Sequence, residues 1–269
     1  MSSEVSKPIA SGGIVPAYMQ TTEIMGTEGL NQYVRPPRLK VIQAMAREPF
    51  NQYDQGTVLV VPQMMKFAEV DRVTKLGSKW QFVPLFFYPE WIQTTPMELS
   101  GQEPFIRARS LDPRSELAQK ARNRDTWFEQ HPTRPDLEIA NRECLNFVVM
   151  PYNHPLAGTM CILTFSKSGF REGSNLASMI KMRKAPIYGQ VFEANSNGNR
   201  KNNKGQWWGL DLNLPTTTAT DSPWVNAEEF EQFKELHLEL LKTHKEGLLQ
   251  VDYDDIPDEA SVSDGTSEF

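Results

Sequence analysis

The sequence predicts a mainly β protein: an OB-fold-like barrel of five strands with insertions, a C-terminal helix and a disordered acidic tail. Three observations carry that expectation. Apolar or alternating runs of strand length, bounded by Gly, Pro, Asn or Ser, recur at 56–61, 80–88, 145–150, 158–165, 187–194 and 206–214. A helical segment at 173–183 lies between two of these runs, where a helix would plug a five-stranded barrel between its third and fourth strands. The last nineteen residues then change character, with seven acids, no Lys or Arg, and Phe269 at the end.

Residues 1–35 mix Gly, Ser, Thr and Pro without sustained periodicity and read as a flexible N-terminal arm. The folded domain spans 36–225. Its inserted segment near 93–141 is rich in charge and Pro, with one short helix expected at 114–124. In 80–88, alternation sets Trp80, Phe82, Phe86 and Tyr88 on one face and Gln81, Val83, Leu85 and Phe87 on the other. Ser174 is the expected cap of 173–183, where Leu176, Met179 and Ile180 share one helical face. In 206–214 the period of two turns Trp208, Leu210, Leu212 and Leu214 inward and leaves Trp207, Gly209, Asp211 and Asn213 facing out.

The C-terminal helix, 226–249, opens on Asn226-Ala-Glu-Glu229, a capping box. Phe230, Phe233, Leu236, Leu240 and Leu241 follow at helical spacing, and Gly247 supplies the stop. This helix either caps the barrel or pairs with a second copy, which leaves a homodimer open. Residues 250–269 are too acidic and too poor in apolar surface to offset the entropy of ordering, so they read as a disordered acidic tail. An anionic arm of this kind competes with nucleic acid for a basic groove, or offers Phe269 to a pocket on a partner.

The formal net charge of −6 hides a mildly basic body, because residues 1–225 hold 25 bases and 21 acids. The excess is concentrated in 166–208: Lys167, Arg171, Lys181, Arg183, Lys184, Arg200, Lys201 and Lys204 stand against Glu172 and Glu193. A local bias of that size is an electrostatic footprint for a polyanion. Trp207 stands beside the loop 195–205, which holds three bases and no acid. Together they suggest a ring for base stacking next to cations for phosphates. Trp80, Phe82 and Tyr88 form a second candidate stacking face.

Several function classes find no support in the residues. No Walker-type phosphate loop, dinucleotide fingerprint, His-Glu-x-x-His or nucleophile elbow occurs, so neither an enzyme nor a cofactor is expected. His131, Cys144, His154 and Cys161 are zinc-type donors, but their spacing matches no ribbon or finger, and no metal is expected. Two cysteines make no disulfide framework and fit a reducing compartment. No apolar run approaches the ~20 residues of a membrane span and the N-terminus is no secretory signal, so a cytoplasmic protein is expected.

With these residues in view, the chain resembles the single-stranded DNA-binding proteins of tailed bacteriophages, and beyond them those of bacteria. Asp254-Asp255-Ile256-Pro257 is similar to the acidic-Ile-Pro-Phe ending of the bacterial proteins, although the Ile-Pro step here lies inside the tail. Glu268-Phe269 is similar to the acidic-Phe ending of short-tailed phage proteins. The run Leu163-Thr-Phe-Ser-Lys-Ser-Gly-Phe170, through Pro186-Ile-Tyr188 to Lys204-Gly-Gln-Trp207, looks phage-like. The resemblance implies coating of single strands in DNA replication, recombination and repair in the host cytoplasm. It also implies docking of a polymerase, helicase or recombinase through Asp254, Asp255, Glu268 and Phe269. Two other readings stay open: a structural or virion β domain that makes protein contacts, and an RNA-binding regulator.

Overall fold

The computed structural model describes residues 35–44, 46, 50–63, 72–99, 102–202, 205–215 and 223–251. The N-terminal arm, the acidic tail from 252 onward and Lys204 lie outside the described residues.

The strands are β1 (Arg38–Val41), β2 (Val58–Val61), β3 (Thr74–Gly77), β4 (Lys79–Thr94), β5 (Ile106–Ser110), β6 (Phe128–Gln130), β7 (Glu138–Tyr152), β8 (Cys161–Phe165), β9 (Phe192–Asn202) and β10 (Gly205–Asn213). Three α-helices join them: α1 (Glu116–Arg122), α2 (Phe170–Met182) and α3 (Ala227–Lys245). The protein is mainly β, but among the described residues its ten strands form one mixed sheet in place of a five-stranded barrel. The order is β10-β9-β4-β7-β8-β1-β2-β3, with β5 beside β4 and β6 beside β7. The path has two ends and does not close. All pairs are antiparallel except β1 with β8.

The spine of the sheet is the β4/β7 ladder, which runs from Gln81↔Tyr152 to Thr94↔Ala140, about 45 Å at roughly 3.4 Å per residue. At its near end, side chains from β2, β3, β4, β7, β8, β9 and β10 meet with Leu176 of α2 in one apolar cluster. Adjacent strands stand about 4.8 Å apart, so seven of them share a single core only if the sheet curls around it. At the far end, β5 and β6 widen the ladder into a four-stranded lobe. There α1 covers Trp91, packing Leu117, Ala118 and Ala121 around it. The expected insertion therefore supplies β5, α1 and β6, which pack on the far ends of β4 and β7. Its short helix lies within the expected 114–124, capped by Ser115, whose Oγ accepts from the Ala118 N–H at 3.2 Å.

The outer face of the ladder is closed by α3. Its capping box is present: Asn226 accepts from the Glu229 N–H at 2.9 Å, and the Glu229 carboxylate accepts from the Asn226 N–H at 3.3 Å. Phe233 and Leu240 pack with Val83, Leu85, Phe86, Tyr88, Val148 and Met150. Gly247, at φ 73°, ends the helix in the left-handed conformation that glycine adopts without penalty. The chain then turns so that Leu249 and Val251 are buried in the same cluster.

One feature of β4 overturns the expected aromatic face. The ladder register shifts between Pro84 and Phe86, a bulge beside a residue that has no N–H to give the sheet. One extra residue reverses the alternation. Trp80 and Phe82 therefore point into the near core, whereas Phe86 and Tyr88 point into the cluster under α3.

Candidate nucleic-acid interface

The basic stretch folds into α2 and the β9/β10 hairpin. Phe170, Leu176, Ala177, Met179 and Ile180 hold α2 on the near core, and Gly173 lets it sit close: a Cβ there would lie 2.6 Å from the Phe165 Cβ. The helix begins at Phe170, three residues before the expected start. Ser174 is consequently no cap but an interior residue, whose carbonyl accepts from Ser178 Oγ at 2.9 Å. Arg171 lies in the first turn, and Lys181, Arg183 and Lys184 gather at the C-terminal end, all exposed. Their charge complements the negative end of the helix dipole. Lys184 adopts φ 53°, the left-handed conformation in which a helix usually ends on Gly or Asn.

The expected loop 195–205 is mostly strand, since β9 extends to Asn202 and β10 starts at Gly205. This separates two neighbouring bases. Lys201 is exposed. Arg200 is not available to a phosphate. Its guanidinium lies against Gly209, donates to Asp211 Oδ1 at 2.8 Å and the Leu210 carbonyl at 2.9 Å, and binds Glu172 Oε1. Asn197 donates to the other Asp211 oxygen at 2.7 Å. Arg200 thus ties the first turn of α2 to the hairpin.

The candidate rings separate in the same way. Trp80, Phe82 and Tyr88 are at most 3 % exposed. They are core side chains and present no open face for a base, which corrects the expected second stacking platform. Trp207 is half-buried. Leu210 is buried in the near core with Leu212 and Leu214 packed against it, as the alternation requires. Trp208, also half-buried, lays its ring against Gly56 and Gly198, and Gln43 holds its backbone through Trp208 N–H to Oε1 at 2.9 Å and Nε2 to the Trp208 carbonyl at 3.0 Å. The ladder is irregular between Trp207 and Gly209, opposite the wide ring.

The interface that remains is α2 with the tip of the β9/β10 hairpin. Arg171, Lys181, Arg183, Lys184 and Lys201 are exposed, with no ion pair among the described residues. Met182 stands 80 % exposed among them. It went unnoticed in the sequence because a lone methionine in an amphipathic helix reads as core. Glu172 and Asp211 were hidden by the opposite error, since a count of charges does not reveal which base an acid will neutralise.

The zinc-type donors scatter. His131 is buried against Glu103 and Arg107, with Nε2 3.1 Å from Glu103 Oε2. His154 Nδ1 accepts from the Leu156 N–H at 3.1 Å. Cys144 and Cys161 are buried thiols outside any disulfide, and burial pushes Cys161 up to about 12, which opposes the thiolate zinc needs. Among the described residues no three His, Cys, Asp or Glu gather as a metal site, and no helix is long and apolar enough to cross a membrane.

The family model described as Pam3 phage gp34-like protein matches residues 9–240, and the chain belongs to that family. No curated protein and no solved structure matches it.

Proposed function

We propose that this Pam3 phage gp34-like protein binds single-stranded DNA without sequence preference and coats it during phage DNA replication, recombination and repair. The carrying observation is the set of five exposed cations, Arg171, Lys181, Arg183, Lys184 and Lys201, left without ion pairs among the described residues of a chain whose net charge is −6. Cations of this kind around an exposed Met182, with a half-buried Trp207 on β10, suit a flexible polyanion with apolar bases. The OB-like character of the near end belongs to this reading, since several strands curl there around one core beside α2. The proposal includes no enzymatic step.

The acidic segment 252–269 enters as a competitor for the same cations and as a dock for replication or recombination proteins through Asp254, Asp255, Glu268 and Phe269. Deleting it raises affinity most at low salt, where screening is weakest.

The test is a tryptophan-fluorescence titration with oligo-dT at several salt concentrations. Replacing Lys181, Arg183 and Lys184 together by Ala lowers the slope of log affinity against log salt by about 2, at roughly 0.7 per lost phosphate contact. An unchanged slope removes α2 from the interface, and absence of salt-dependent binding removes the reading.

One observation favours a structural role instead. Trp127 and Phe128 are 43 % and 50 % exposed beside each other at β6, whose one described partner is β7, and neighbouring exposed aromatics suit a protein contact. Replacing both by Ser then disrupts assembly with a virion partner and leaves oligo-dT affinity unchanged.

A further inference from the structure

A cleft of about 310 Å³ opens where β9, β4 and β7 run side by side, lined by Lys79, Trp80, Gln81, Tyr152, Asn153, His154 and Glu193. That volume sits at the lower edge of small-molecule pockets, roughly 300–1,000 Å³. Gln81 pairs in register with Tyr152 on one side and Glu193 on the other. Paired residues of antiparallel strands share a face, so the three side chains form a row across the sheet, with Lys79 two positions along the same face.

The polar atoms of this row are arranged to leave a reading edge. Asn153, in the left-handed conformation at φ 51°, donates from Nδ2 to Gln81 Oε1 at 3.3 Å. That bond uses the Gln81 acceptor and one Asn153 donor, leaving the Gln81 amide N–H groups beside the Asn153 carbonyl oxygen. A donor next to an acceptor is the complement of a nucleobase edge. Tyr152 donates its hydroxyl to Glu229 Oε2 of α3 at 2.9 Å, which fixes its ring as one wall. Because His154 Nδ1 accepts from a backbone N–H, the neutral ring carries its proton on Nε2 and is a further donor. Lys79, its side chain 61 % exposed, reaches Glu193 at 3.1 Å and stands where a sugar-linked phosphate would pass.

We propose that this cleft holds one nucleobase of the bound single strand, read by the Gln81–Asn153 amide pair and walled by Tyr152. The proposal deepens the single-strand reading and rests on it. The cleft lies about 27 Å along β9 from the hairpin tip, at roughly 3.4 Å per residue.

The test uses the full chain and two kinds of probe: the four deoxynucleoside monophosphates, with deoxyribose 5-phosphate as control, and oligo-dT. Two variants report on the cleft. Asn153→Gly removes the amide while keeping the left-handed backbone that glycine favours, and Gln81→Ala removes the other half of the pair. The expected result is saturable binding of at least one monophosphate, weakened about tenfold by Gln81→Ala and about fivefold by Asn153→Gly, with thermal midpoints unchanged for the latter. Deoxyribose 5-phosphate should not compete. If no monophosphate binds, if the sugar phosphate competes equally, or if neither variant matters, the cleft holds no base. Oligo-dT binding that persists in that case leaves the single-strand reading standing, whereas absence of oligo-dT binding overturns both.

Discussion

The two ends of the β4/β7 ladder carry equal numbers of bases and use them differently. Residues 97–143, at the far end, hold eight Lys and Arg against nine Asp and Glu, whereas 166–208, at the near end, hold eight against two. At the far end the cations close on acids: Arg109 on Glu90 at 3.0 Å, Lys120 on Glu116 at 3.0 Å and Glu129 at 2.9 Å, Arg134 on Asp136 at 2.7 Å, and Arg107 on Glu103. At the near end Arg200 makes such pairs, and five other bases stand exposed without them among the described residues. Paired cations there hold one strand or helix to another; unpaired ones leave their charge to something outside the fold. The basic content of a segment is thus no measure of its affinity for a polyanion.

The comparison breaks most visibly at Arg109. Its partner Glu90 is fully buried, accepts a second bond from Asn146 Nδ2 at 3.2 Å, and lies beside the root of the tail, where Arg109 also donates to the Val251 carbonyl. Arg109→Ala leaves that carboxylate without its cation and should cost about 3–5 kcal/mol. Lys181→Ala should change stability by no more than about 0.5 kcal/mol. Urea unfolding of the two variants measures both. Equal midpoints would mean that the far-end pairs are surface decoration.

A smaller effect separates two adjacent residues of β9. Arg200→Ala should destabilise by about 1–2 kcal/mol, because Glu172 and Asp211 lose a charged donor at a partly buried site. Lys201→Ala should leave stability alone and weaken oligo-dT binding. Gly173→Ala acts on the same seat of α2 without touching any charge, by crowding Phe165, and should cost about 1–3 kcal/mol. If Lys201→Ala destabilises as much as Arg200→Ala, the division of the hairpin into clamp and contact is wrong.

What could be read from the sequence was what depends on near neighbours. The capping box at Asn226, the stop at Gly247, the short helix near 116–122 and the alternation of Leu210 with Leu212 are set by residues within a few positions of one another. The strands β5 and β6 were not legible, because Ile106–Ser110 and Phe128–Gln130 are charged, short segments that become strands by pairing with the prolonged β4 and β7. The reversal of faces in β4 had one visible clue, Pro84, yet a proline does not say where the extra residue will fall. Arg200 and Lys201 look alike in sequence because the acid that distinguishes them, Glu172, lies 28 positions away. The row Glu193, Gln81 and Tyr152 exists only through register.

The smallest expected effect, and the one that orders the regions against each other, is acid. His244 of α3 packs its ring on Phe86 and Tyr88 at 5.4 and 5.1 Å between centroids, at the middle of the ladder. Burial lowers its pKa from the ordinary 6.5. The unfolded chain therefore takes up a proton more readily than the fold, so this contribution is complete above pH 6.5 and is lost as pH falls from there toward the lowered value. The far end responds later. Burial alone would raise Glu129, but bonds from Lys120 and Asn141 bring it below 4.5, and the bond from Arg134 holds Asp136 below 3.8. Stability from those carboxylates is present above these ordinary values and is lost as pH falls through the lowered ones. Hydrogen-exchange protection measured at pH 7, 5.5 and 4 should therefore fall first in α3 and next in β6 and α1, with oligo-dT binding retained while the near core stays folded. Loss of protection in α1 before α3 would reverse the order, and with it the claim that the far lobe is held by paired carboxylates while the middle of the ladder is held by a half-buried neutral imidazole.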